Sequence, residues 1–172
     1  MAMDFLELAR KRYSCKKYDG KQIEPAQLEA ILAAGQAAPT AKNLQEQHVY
    51  VVQSPEKIAL IDEVTPCRYN APTVLVVTFN KENMFTFPDG VHTSGAEDAA
   101  IVATHMMLAA ASMGVDSCWL NFFKPAEVSE KLGLPENEEV LMLLDLGYAA
   151  EGTGPLANHD SRKDLSETVS YL

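Results

Sequence analysis

Apolar positions along this chain fall into two alternating rhythms, one helical and one strand-like. Over residues 4–13, Phe5, Leu6, Leu8 and Ala9 give a short helix a broad apolar face, with Asp4 as its N-cap candidate. Asp19-Gly20 makes a turn, and Pro25 opens a second helix over 25–38 on Leu28, Ile31 and Leu32. Pro39 stops it, and a polar loop occupies 40–45. Residues 48–53, rich in β-branched and aromatic side chains, predict a strand, and Pro55 opens another helix over 55–64. The run 73–79 is almost continuously apolar, as in strands buried on both faces. A polar and aromatic excursion over 80–93 turns at Pro88-Asp89-Gly90. Residues 94–113 are nearly all small or apolar and predict a long helix buried on most sides, capped by Gly114. The remainder predicts a strand over 116–121, a helix over 125–132 ended by Gly133, a strand over 140–146, a loop over 151–159 and a terminal helix over 161–172. Strands interleaved with helices in this way predict an α/β or α+β sandwich.

Composition narrows this picture. At 172 residues, with no repeat or linker, a single domain over 1–172 is expected. Hydrophobic content of 47% and charged content of 22% are ordinary for a soluble protein. The start, Met1-Ala2-Met3-Asp4, leads into no apolar run with a cleavage site, and no uncharged apolar stretch reaches the roughly 18 residues of a membrane span. Cys15, Cys67 and Cys118 are odd in number and outside any CxxC pair, so no disulfide framework or structural zinc site is expected, and a reducing, cytoplasmic setting fits. The four histidines form no HExxH or HxH pattern, and no metal is expected.

Charge changes the picture more. The net charge is −10, which argues against nucleic acid or anionic lipid as a partner. Yet residues 1–22 carry six of the fourteen Lys and Arg against three acids, centred on Arg12-Tyr13-Ser14-Cys15-Lys16-Lys17. A planar guanidinium, a neutral hydroxyl and a point charge together suit a phosphate group, although a solvated cationic helix end reads the same way. Other chemistry is missing: Gly152-Thr153-Gly154 follows no strand and opens no helix, so it is a turn rather than a dinucleotide fingerprint. There is no P-loop, nucleophile elbow or suggestive carboxylate pair, and Cys118 lies inside a predicted buried strand, where a structural thiol is expected.

Four pieces stand in one order: RYSCKKY after the first helix, APTAKNLQ after the second, GVDSCWLNFF after the long helix, and DSRKDLSETV near the C-terminus. Together they resemble the nitroreductase family of FMN-dependent oxidoreductases across nearly the whole chain. The resemblance implies an α+β fold, a three-layer α/β/α sandwich with a central mixed, mostly antiparallel sheet, assembled as a homodimer with the cofactor at the interface. It implies that Arg12, Tyr13 and Ser14 hold the phosphate and ribityl region, with Arg162 closing on the phosphate. Lys16 would approach the N1/O2 edge of the ring, where a fixed cation stabilises the negative charge that reduction places there. Pro39, Thr40, Ala41 and Asn43 would contact FMN from the partner subunit. Trp119, Leu120 and Asn121 would pass along the ring, with the Asn121 backbone N–H near N5, the hydride acceptor.

The activity so implied is transfer of hydride from NADH or NADPH through flavin N5 to a nitroaromatic, quinone or flavin acceptor, in ping-pong order. No side chain need act as acid or base. The chain also departs from the usual pattern. Glu46-Gln47 stands where Pro-Trp is common, Asn121-Phe122 where Glu-Gly is common, and Asp160 where Lys is common. Phe85 and Phe87 are candidates to flank the ring, or are ordinary packing of the excursion. Two other readings use the same scaffold: a dehalogenating or flavin-fragmenting enzyme, and a non-catalytic flavin-binding protein.

Overall fold

Four strands form the centre of the structure because the most apolar runs of the chain have this geometry and pair with one another. A computed structural model describes residues 4–172. The strands are β1 (Gln47–Val52), β2 (Thr73–Asn80), β3 (Asp116–Leu120) and β4 (Glu138–Gly147). They lie in the order β1-β2-β4-β3, and every neighbouring pair is antiparallel. The sheet is thus mostly antiparallel, as expected, and its parallel element is a single bridge, Ser14 to Ser117. β2 and β4 occupy the middle, and β2 is buried from Thr73 to Phe79, as its unbroken apolar run requires.

Alternate residues of the two central strands face two separate cores. Leu75, Val77, Met142, Leu144 and Leu146 pack with α2 (Pro25–Gln36) and α4 (Gly95–Ser112). Val74, Val76, Val140 and Leu143 pack with α3 (Pro55–Val64) and α5 (Pro125–Leu132). The result is the three-layer α+β sandwich. α2 sits so close to α4 that a Cβ on Gly35 would stand 2.8 Å from Met106 Cγ. A larger residue there would force the two helices apart.

The end helices are shorter than the sequence pattern suggests. α1 covers Phe5–Lys11, and Asp4 makes no side-chain cap. The terminal helix over 161–172 is corrected to α6, Leu165–Thr168, a single turn held by an Asp164–Glu167 capping box. Its neighbours Val169, Tyr171 and Leu172 are exposed, so nothing among the described residues supplies the packing a longer helix would need. α4 buries one face, with Val102, Ala103 and Met106 inside, while Ile101 is 37% exposed. The expected burial on most sides is therefore half met within one chain. Among the described residues no helix is long and apolar enough to cross a membrane.

Candidate functional site

The basic segment after α1 becomes a strap wired into the sheet. Ser14 bridges Ser117 of β3, the Cys15 N–H donates to the Ser117 carbonyl at 2.9 Å, and Tyr18 bridges Ala149. Cys15 and Tyr18 are buried. Arg12, Ser14 and Lys16 stand at alternate positions of this strap. Arg12 is half-buried, and among the described residues no carboxylate pairs with it. With Lys11 and Tyr13 it lines a cleft of about 120 Å³ closed by Gly114, Asp116 and Ser117. Tyr13 keeps its proton, because burial, then Asp116, then Cys15 raise its pKa.

Lys16 is exposed but not loose. Its ammonium donates to the Tyr69 hydroxyl at 3.3 Å and lies 4.8 Å from the centre of that ring. Partial burial works against its charge, but the hydrogen bond to Tyr69 and the nearby Cys118 outweigh it, and its pKa is raised. The thiols beneath are inert. Burial, acting first, pushes Cys118 up to about 11 and raises Cys15 as well, the reverse of what a thiolate nucleophile needs.

The C-terminal tail returns to this strap. The His159 ring bonds the Arg10 carbonyl through Nε2 at 3.0 Å and meets the Tyr13 ring edge-on at 6.5 Å. Three residues on, Arg162 turns one guanidinium nitrogen back onto the carbonyls of His159 and Ser161. The two ends of the chain are thus juxtaposed, with Arg162 partly engaged by its own backbone.

The loop of residues 40–45 is built differently. Lys42, Asn43 and Gln45 all have φ between 51° and 55°, a left-handed region that costs side-chain-bearing residues about 1–2 kcal/mol each. Side chains hold it there. Thr40 Oγ1 accepts from the Gln45 N–H at 3.1 Å, and Asp98 Oδ1 of α4 accepts from the Ala41 N–H at 3.0 Å. Lys42 lies over Phe85 at 4.6 Å from the ring centre, so Phe85 packs on the loop, with Phe87 5.5 Å beyond. Pro39 and Asn43 are exposed, Thr40 and Ala41 half-buried.

At the end of β3 the three expected residues separate. Leu120 is 3% exposed and belongs to the core under α3 and α5, so its main chain alone is available to a ligand. Trp119 packs against the opposite core, and its Nε1–H donates to Asn121 Oδ1 at 3.0 Å, which fixes Asn121 at the exposed strand end.

Three features escaped sequence reasoning. Tyr69, left-handed at φ 53°, holds Lys16 from a turn with no motif of its own. Asp145 sits fully buried in β4, in register with Cys118, and both its oxygens lack partners among the described residues. Glu46 and Asp98 are two buried acids on adjoining elements. A charged residue directly after the 40–45 loop and before a strand was the visible signal for Glu46, and an acid in the first turn of an apolar helix for Asp98.

The donor set fits a phosphorylated flavin. A guanidinium that pairs with no carboxylate among the described residues, a hydroxyl and an ammonium stand along one strap, and a second loop of backbone groups and small side chains is bonded to α4 through Asp98. Among the described residues no cluster of His, Cys, Asp and Glu is arranged to hold a metal. The profile of the nitroreductase family matches residues 9–68 and 66–148. A nitroreductase family protein from Clostridium difficile 630 shares 36% identity and a TM-score of 0.92, with 98% of each chain covered. A nitroreductase with bound FMN from Bacteroides fragilis shares 28% identity at a TM-score of 0.77, covering 99% of this chain and 100% of that one. An Archaeoglobus fulgidus protein, provisionally named NADH dehydrogenase/NAD(P)H nitroreductase, is 28% identical over 149 residues, 83% of this chain and 84% of its own. The fold is an α+β sandwich with a basic strap wired to the edge strand of its sheet. This chain belongs to the nitroreductase family.

Proposed function

We propose that the protein is an FMN-dependent NAD(P)H oxidoreductase whose acceptor is a nitroaromatic, a quinone or a free flavin. The observation that carries this reading is the Arg12–Ser14–Lys16 strap, with its guanidinium unmatched by any carboxylate among the described residues. Relatives with FMN bound and with an NAD(P)H-dependent name support it. When bound, FMN supplies the N5 hydride acceptor and donor that lets reductant and acceptor take turns at one site, in ping-pong order.

The chain's own residues do the rest. Arg12 and Ser14 bind the phosphate end, with Tyr13 kept neutral beside them and Arg162 closing from the tail. Lys16, held by Tyr69, places a positive charge at the N1/O2 edge of the ring. Trp119 locks Asn121 through the 3.0 Å indole hydrogen bond, presenting the backbone of 120–121 toward N5. Pro39, Thr40, Ala41 and Asn43 serve the partner subunit's cofactor. The exposed stretch of α4 around Ile101, together with Phe5 and Leu6 at 62% and 59% exposure, is apolar surface of the kind a homodimer covers.

The test is optical. The purified, FMN-loaded protein should be yellow and bleach when NADH or NADPH is added without oxygen, then recover its colour when a quinone follows. Yellow protein that does not bleach supports instead a flavin-binding protein without reductase activity. A colourless protein that cannot be reconstituted removes the reading.

A further inference from the structure

Glu46 and Asp98 stand against one another with the least means of doing so as two charges. Glu46 is 5% exposed and Asp98 4%. Each has one oxygen satisfied: Ser94 Oγ donates to Glu46 Oε1 at 3.4 Å, and the Ala41 N–H donates to Asp98 Oδ1 at 3.0 Å. The other oxygen of each, Glu46 Oε2 and Asp98 Oδ2, is buried and has no donor. Ser94 joins the two, its hydroxyl on Glu46 and its carbonyl accepting from the Asp98 N–H at 2.8 Å, and burial first, then Asp98, raise the Glu46 pKa. No Lys, Arg or His forms an ion pair with either acid among the described residues.

From α4, Asp98 is the titratable group that faces Glu46, and Ser94 is neutral. From the loop, the ammonium of Lys42 is turned to the Phe85 ring. From β2, the Asn80 N–H donates to the Glu46 carbonyl at 2.9 Å and brings no charge. A single proton resolves this arrangement. Placed on Glu46, it turns two orphaned acceptors into one charge-assisted O–H···O bond. Asp98, in the first turn of an 18-residue helix, accepts that bond.

We propose that Glu46 and Asp98 carry one proton between them and act as positioning residues that fix the 40–45 loop through the Ala41 amide. That this loop faces FMN rests on the function proposed above; the positioning itself does not. While the proton is present, Asp98 stays seated under Ala41. Once it leaves, two like charges share a buried space without a counter-ion, and one of them must swing toward water. Asp98 then releases Ala41, or Glu46 releases Ser94. Ser94 Oγ in turn accepts from the Phe85 N–H at 3.1 Å, so the 80–93 excursion loosens with the loop. The loop is therefore ordered at low pH and loses order as pH rises through the elevated Glu46 value.

The test reads the Ala41 amide directly. Hydrogen exchange at Ala41 in the full-length protein is followed from pH 5 to pH 8 and corrected for base catalysis. In the wild type its protection should fall at least about tenfold, the equivalent of one pKa unit. Glu46→Gln keeps a donor to Asp98 and cannot titrate, so its protection should stay flat. Asp98→Asn keeps an acceptor for Ala41 and offers Glu46 an amide, so it too should be flat. Wild-type protection that is constant with pH overturns the proposal, and needs no variant to fold. A Glu46→Gln curve that follows the wild type overturns it as well. FMN binding, read by flavin fluorescence across the same range, should weaken about tenfold in the wild type alone. If exchange behaves as expected while none of the three proteins binds FMN, the positioning pair stands and the flavin reading fails.

Discussion

The strap of residues 12–18 and the loop of residues 40–46 form the two sides of the proposed flavin site, and they are held by opposite means. The strap is fastened by backbone: Cys15 to Ser117, Tyr18 to Tyr69, Asp19 to Tyr148 and Ala150 to Lys17, all between 2.9 and 3.0 Å. The loop is fastened by side chains, Thr40 and Asp98, and contains three residues in a left-handed conformation. Backbone ladders do not titrate and do not depend on a single side chain, whereas the loop's anchors do both. The charges that would bind a phosphate therefore stand on the fixed side. The side that would meet the ring, and a changing series of acceptors, can adjust.

The largest effect that would sharpen this contrast lies under the strap. Asp145 is buried without partners among the described residues, and burial, opposed by the charge of Arg68, pushes its pKa up to about 9. The folded protein holds a proton that the unfolded chain releases near pH 4. The resulting stability is complete below pH 4 and is lost as pH rises toward about 9. Asp145→Asn removes that slope. Denaturant melts should show the variant gaining on the wild type by more than about 1.4 kcal/mol between pH 5 and pH 9, the worth of one pKa unit. Parallel curves would mean that Asp145 is ionised in the folded state and that the strap rests on a charge.

Next in size is Arg12→Ala. Its guanidinium bonds nothing that the described residues supply, so the FMN-free protein should melt as before. The flavin should bind roughly 10- to 100-fold more weakly, because a charge-assisted phosphate contact contributes about 1.5–3 kcal/mol. A variant that loses stability but keeps its flavin would reverse the assignment and make Arg12 a structural residue.

The sequence made the strap far more legible than the loop, for a physical reason. Helical and strand periodicity mark where elements lie, and the sandwich, β2's burial on both faces and the helices 55–64 and 125–132 follow from them. Cations clustered in an acidic chain mark the strap in the same way. Whether an acid is buried depends on which elements meet, and no local pattern encodes that. Glu46 reads as a departure from a motif, Asp98 as a favourable helix-start residue, and Asp145 as one polar position in an apolar run. The terminal segment misled for the same reason: residues 161–172 have helical composition but no surface among the described residues to pack against.

The smallest expected effect is also the most discriminating, because its two readouts should differ in sign. Gln45 has φ 54° and an exposed side chain whose one bond, to the Asn43 carbonyl, is 3.3 Å. Gln45→Gly relieves about 1–2 kcal/mol of left-handed strain and adds roughly 0.5–1 kcal/mol of unfolded-state entropy. The net is a stabilisation of at most about 1.5 kcal/mol, or up to roughly 3–6 °C in Tm for a domain of this size. Gln45→Val should move the opposite way, since a branched Cβ tolerates that region worst. If the strain holds the loop in shape for the cofactor, Gln45→Gly should bind FMN a few-fold less tightly while melting higher, because a relaxed loop must be ordered on binding. Glycine at Lys16, in the strap, has no strain to relieve and should lower flavin affinity without raising Tm. A Gln45→Gly protein that gains both stability and affinity would show that the loop's left-handed run is an accident of chain direction rather than part of the site.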